Sequence, residues 1–130
     1  MPELAEVATW VGHRVDDVYG ARVGRVEDVY VDPETGAPHW LLTKVSRFGE
    51  EHALVPIDDT IAGAGHVWVP YERELIKRSG VHGKGAPLHK ERELELCSLF
   101  GIPARAHEVT GRLDGSITSY SFAVTSVSAR

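Results

Sequence analysis

The sequence predicts an all-β fold, an antiparallel barrel or sandwich with short accessory helices. Three observations predict it. Short runs rich in Val, Trp and Tyr recur before Gly80, turn residues separate them closely, and helices and strands do not alternate as in a parallel α/β sheet. A chain of 130 residues suits one domain, with a modest core and room for a tail.

Leu4, Val7 and Ala8 share one side of a short opening helix, with Trp10 anchoring its end. Then "RVDDVYG" (Arg14–Gly20) is echoed by "RVEDVYV" (Arg25–Val31), as expected for successive strands with Gly20 and Gly24 marking the turn. Val26 to Val31 is β-branched and aromatic, with Val29 and Val31 on one side and Asp28 and Tyr30 on the other. The stretch Asp32-Pro33-Glu34-Thr35-Gly36 has a turn mechanism: Asp32 accepts from local amides, Pro33 fixes φ, and Gly36 takes the left-handed position. Trp40 to Val45 returns as a strand. "SRFGEEH" (Ser46–His52) connects to "HALVPI", where Pro56 demands an edge or a strand end. "IAGAG" (Ile61–Gly65) reads as a turn and "HVWVP" as a short strand, with Val67 and Val69 opposite Trp68. "YERELIKRSG" (Tyr71–Gly80) reads as a short helix and "VHGKGAP" (Val81–Pro87) as a flexible link. From about Leu88 the pattern is helical to Phe100, stopped by Gly101. Leu96, Leu99 and Phe100 form an apolar patch that must be covered, by the sheet or by a partner. The last stretch carries Asp114-Gly115 and an alternation of Tyr120, Phe122 and Val124, read as a β-segment or a flexible tail.

Nineteen acids against fourteen bases give a net charge of -5, which opposes indiscriminate nucleic-acid binding. The single thiol, Cys97, excludes an internal disulfide; it falls on the apolar side of the last helix, where a thiol is structural. The N-terminus lacks a basic start and a sustained apolar run, and no segment approaches the roughly 18 apolar residues of a membrane helix. A cytoplasmic protein without membrane insertion is expected.

Catalytic patterns are weak. "GARVG" lacks the spacing of a dinucleotide fingerprint, and "GVHGKGAP" lacks the Ser/Thr of a phosphate loop. The seven histidines are dispersed, with no metal-binding spacing. Adjacent acids at Asp16/Asp17 and Glu27/Asp28 point to opposite strand faces, and Asp58/Asp59 read as turn caps. No catalytic, cofactor or metal residue is assigned. Trp10, Trp40 and Trp68 read as core or subunit-contact residues, and Arg47-Phe48 as an exposed contact pair.

Taken together, "GHRVDDVYG", "GARVGRVEDVYVDPETGAPHWLLTKVSRFG" (Gly20–Gly49), "LVPI" (Leu54–Ile57) and "VWVPYERELIKRSG" (Val67–Gly80) resemble the PRC-barrel domain family over roughly residues 10–80. "HKERELELCSLFG" resembles the short C-terminal helix of small bacterial members. The resemblance implies a compact antiparallel β-barrel of about six strands and protein contact without a shared catalytic set. Related barrels occur in the photosynthetic reaction-centre H subunit, a ribosome-maturation factor and archaeal division complexes, whose processes are not carried over.

The expected organisation is a barrel domain with a short N-terminal helix over 1–80, a linker and accessory helix over 81–103, and a C-terminal β-segment or tail over 104–130. The expected function is a non-catalytic protein-interaction or scaffold module, self-associating as a homodimer, with a further protein partner of unspecified identity. Its contact residues are Trp40, Arg47, Phe48, Trp68, Leu96, Leu99 and Phe100. An RNA- or ribosome-associated alternative requires a basic surface gathering Arg14, Arg22, Arg25, Lys44 and Arg47. An enzyme or small-ligand alternative requires a polar pocket with convergent titratable groups.

Overall fold

A computed structural model describes residues 3–32 and 34–103. Helix α1 (Leu4–Ala8) leads into β1 (Arg14–Asp16), β2 (Arg22–Val31), β3 (Pro38–Lys44) and β4 (His52–Pro56). A hairpin of β5 (Ile61–Gly63) and β6 (His66–Trp68) follows, then α2 (Arg73–Arg78) and α3 (Lys90–Phe100). The expected terminal β-segment or tail lies outside the described residues.

The six strands form one sheet in the order β4-β3-β2-β1-β6-β5. This overturns the expected closed, all-β barrel. The sheet is open, with β4 and β5 as its two edges. It is also mixed rather than antiparallel, since β1 pairs with β6 in parallel, and three helices make the architecture α plus β. Closure requires strands long enough to tilt and stagger around an axis, and β1, β5 and β6 have three residues each. At the other edge, the amide of His82 donates to the carbonyl of His52 on β4 (2.9 Å), where a barrel would bring in a strand.

The alternation expected for β2 also gives way. Val29, Tyr30, Val31 and Asp28 are all buried, as are all of Pro38–Thr43 and His52–Pro56. Successive strand residues point to opposite faces, so the centre of this sheet is covered on both sides. Val7 and Trp10 around α1, Ile76 of α2, and Leu96, Cys97 and Phe100 of α3 join the strand residues in one core.

The β2–β3 connection follows its turn chemistry. Asp32 Oδ1 accepts from the amide of Glu34 at 2.8 Å, and Gly36 takes φ +77°. Gly24 answers a different need: a Cβ there would lie 1.9 Å from the carbonyl oxygen of Lys44, so only glycine lets β2 approach the end of β3 this closely. "IAGAG" is a correction, because Ile61–Gly63 is a strand and the turn is confined to Ala64 and Gly65, both at positive φ. Such a two-residue turn matches the twist of a tight hairpin.

The segment expected as a flexible link is held in place. The Tyr30 hydroxyl donates to the carbonyl of Ala86 (2.6 Å), and buried His82 lies edge-on to the Tyr30 ring. Burial is the main force pushing the His82 ring below the usual imidazole range. Helix α3 then ends at Gly101, whose left-handed φ of 71° caps it.

Candidate functional site

The expected contact residues divide into two groups. Trp40, Leu96 and Phe100 are core. The Trp40 indole N–H donates to Glu93 Oε2 at 2.9 Å, with both side chains buried, and Phe100 packs against Trp40 and Tyr71. These contacts pin α3 to β3, and burying Trp40 in this way satisfies its one polar group. Arg47, Phe48, Trp68 and Leu99 are at the surface, with Phe48 87% exposed.

Two surface features stand out. The first is the edge made by β5 and β6. Ile61 sits opposite Trp68 in the hairpin register, and both are exposed. His66 stacks on Trp68 with ring planes 12° apart and is held by Asp16 at 2.7 Å, while Arg14 Nε donates to the other oxygen of Asp16 at 2.6 Å. Burial of Asp16 opposes its ionisation, yet His66 and Arg14 outweigh this and hold the carboxyl below its usual range. Asp17, its neighbour, accepts from the amides of Tyr19, Ala21 and Arg73. Burial again opposes the charge and the three amides prevail, lowering that carboxyl too. The two acids are therefore structural ties: Asp16 joins β1 to β6, and Asp17 joins the β1–β2 turn to the start of α2.

The second feature is a cleft of about 430 Å³ where the start of β2, the end of β3 and α2 meet. Among the described residues Arg22, Arg25, Lys44, Arg47, Arg73 and Lys77 line it, with Glu27 as the one acid. Glu27 is already engaged by Lys84 at 3.4 Å and lies 3.6 Å from the buried His52 ring. Lys44 reaches Glu50 only at 3.9 Å, and among the described residues Arg22, Arg47 and Lys77 pair with no carboxylate. Gly24 forms part of the wall, so the close approach of β2 to β3 also shapes the cleft. Of the basic residues singled out in the sequence, four meet here, while Arg14 is spent on Asp16. Arg73 and Lys77 were missed; their i,i+4 spacing on a short helix was the signal that both share one face.

No group of His, Cys, Asp and Glu able to hold a metal ion occurs among the described residues. No helix among them is long and apolar enough to cross a membrane.

Comparison with known families decides the relationship: the PRC-barrel domain matches residues 2–79, more than half of the chain. The chain belongs to the PRC-barrel domain family. No curated protein matches it. PRC-barrel domains are in general non-catalytic modules of protein interaction and scaffolding. In this PRC-barrel protein the match ends before α3, so the Trp40–Glu93 bond joins the family domain to a helix beyond the matched residues.

Proposed function

We propose that the chain is a protein-interaction module that self-associates through the β5 edge. One observation carries this reading: β5 is an apolar, uncharged edge strand, and among the described residues only β6 pairs with it. Edge strands are ordinarily blunted by brevity, charge, proline or a cover, because their free backbone groups invite another strand. β5 is short, but Ile-Ala-Gly brings neither charge nor proline, and Ile61 is 65% exposed. A second copy of the same edge, related by a two-fold axis, supplies a matching strand and buries Ile61 and Trp68 against their counterparts. Arg47, Phe48 and Leu99 remain at the surface for other partners.

Mass measurement in dilute solution tests the reading. The expected result is a dimer at micromolar concentration that becomes a monomer on Ile61→Lys, with unchanged circular dichroism. A wild-type chain that stays monomeric at that concentration contradicts it.

A further inference from the structure

We propose that the basic cleft between β2, β3 and α2 is the docking site for a run of Asp and Glu side chains on a partner protein. The proposal rests on the reading of the chain as a protein-interaction module and gives that partner a chemistry. Six cations converge on one cleft in a chain whose net charge is -5. Like charges gathered this way repel one another, and a ligand of opposite sign relieves the repulsion.

Guanidinium groups match carboxylates with two parallel hydrogen bonds. Arg22 and Arg47 are exposed at the cleft and pair with no carboxylate among the described residues, so both can make that contact. Arg73 and Lys77 present a second row of charge one helical turn apart. Glu27, the only acid among the described lining residues, is engaged by Lys84, so it does little to oppose an incoming carboxylate.

Two features favour an acidic peptide over a nucleic acid. Exposed Glu50, Glu51, Glu72 and Glu74 adjoin the lining residues in sequence, so a continuous phosphate backbone would run past carboxylates on its way in or out. Among the described residues two exposed aromatics lie near the lining in sequence, Phe48 next to Arg47 and Tyr19 three residues before Arg22, and strand-tracking sites stack successive bases on a longer series. The chain's own residues 104–130 do not complement the cleft, since Arg105, Arg112 and Arg130 outnumber Glu108 and Asp114.

The test is a titration of the full chain with three fluorescent probes: a short Glu/Asp peptide, a Gln/Asn peptide of equal length, and a single-stranded RNA oligomer. The acidic peptide is expected to bind, the neutral one not, and the affinity to fall about fivefold between roughly 50 and 200 mM salt as screening shortens the reach of the charges. Arg22→Gln with Lys77→Gln is expected to weaken binding about tenfold. Both side chains are exposed, so melting temperature stays unchanged and a folding defect is detectable. RNA binding as tight as the acidic peptide overturns the assignment to protein. Absence of peptide binding in a chain that still dimerises overturns the cleft proposal and leaves the interaction reading standing. Loss of the dimer in the double variant assigns the cleft to self-contact and overturns it too.

Discussion

The two ends of the sheet are built on different terms. At one end, β2, β3 and β4 run for ten, seven and five residues, and every position of β4 is buried. At the other, β1, β6 and β5 have three residues each, and β5 ends the sheet with Ile61 exposed. The first end obtains its stability from apolar burial on both faces. The second also buries Val15 and Val67 in the core, but adds polar ties, Asp16 to His66 and Asp17 to three amides, and leaves Ile61 and Trp68 facing outward. A single sheet thus has one edge covered by burial and the other left apolar and open.

Two tryptophans make the sharpest contrast. Trp40→Ala is expected to cost about 3–5 kcal/mol, because it empties a buried site and takes the indole donor from Glu93 Oε2. Trp68→Ala is expected to cost about 1 kcal/mol, since part of that ring faces water already. Chemical denaturation of both variants measures the gap; equal losses would break the distinction between the two ends.

Gly24→Ala comes next, at about 1–3 kcal/mol, because the added Cβ meets the Lys44 carbonyl and forces β2 away from β3. The same variant is expected to weaken acidic-peptide binding, since this contact shapes the cleft wall. An unfolding curve that overlays the wild type would show that the backbones part without penalty.

Asp17→Asn is expected to lose about 1–2 kcal/mol at neutral pH, as charged acceptance from three amides is replaced by a weaker neutral one. The sign of the pH effect follows from the lowered carboxyls. Asp16 and Asp17 titrate below the usual 3.8 in the folded chain. Their contribution is therefore complete above that value and is lost as pH falls through the folded values. Stability measured between about pH 5 and pH 2 is expected to fall less steeply in Asp17→Asn than in the wild type. Identical slopes would remove Asp17 from the acid response.

The smallest effect on stability is expected for Ile61→Lys, within about 0.5 kcal/mol, although this substitution is expected to abolish the dimer.

Local chemistry was the legible part of the sequence. The Asp32–Gly36 turn, the strands around Val29 and Trp40, the proline-ended strand at Pro56 and the glycine stop of α3 each carry their cause within a few residues. Closure of the sheet did not, because it depends on strand length and on which edges meet. Covering of both sheet faces was hidden for the same reason: the alternation at Asp28–Val31 looks half-exposed until α-helices are placed over it. Reading Ile61–Gly65 as a turn follows from Gly63 and Gly65, yet only Ala64 and Gly65 bend. The large face of Trp40 and the apolar patch of Leu96 and Phe100 fit core and contact surface alike, and Glu93, which accepts the indole N–H, gives no sign of that partnership in the sequence. The basic cleft was half legible, since Arg22, Arg25, Lys44 and Arg47 were visible as a set and the α2 pair was not.

Amide hydrogen exchange at two protein concentrations tests the central division most directly. The account predicts slow exchange across β2, β3 and β4 at both concentrations, with the β5 amides that face away from β6 exchanging freely when dilute and becoming protected as the chain associates. Protection of those outward amides at every dilution, or its absence at every concentration, would contradict an edge that is open in the monomer and filled by a second copy.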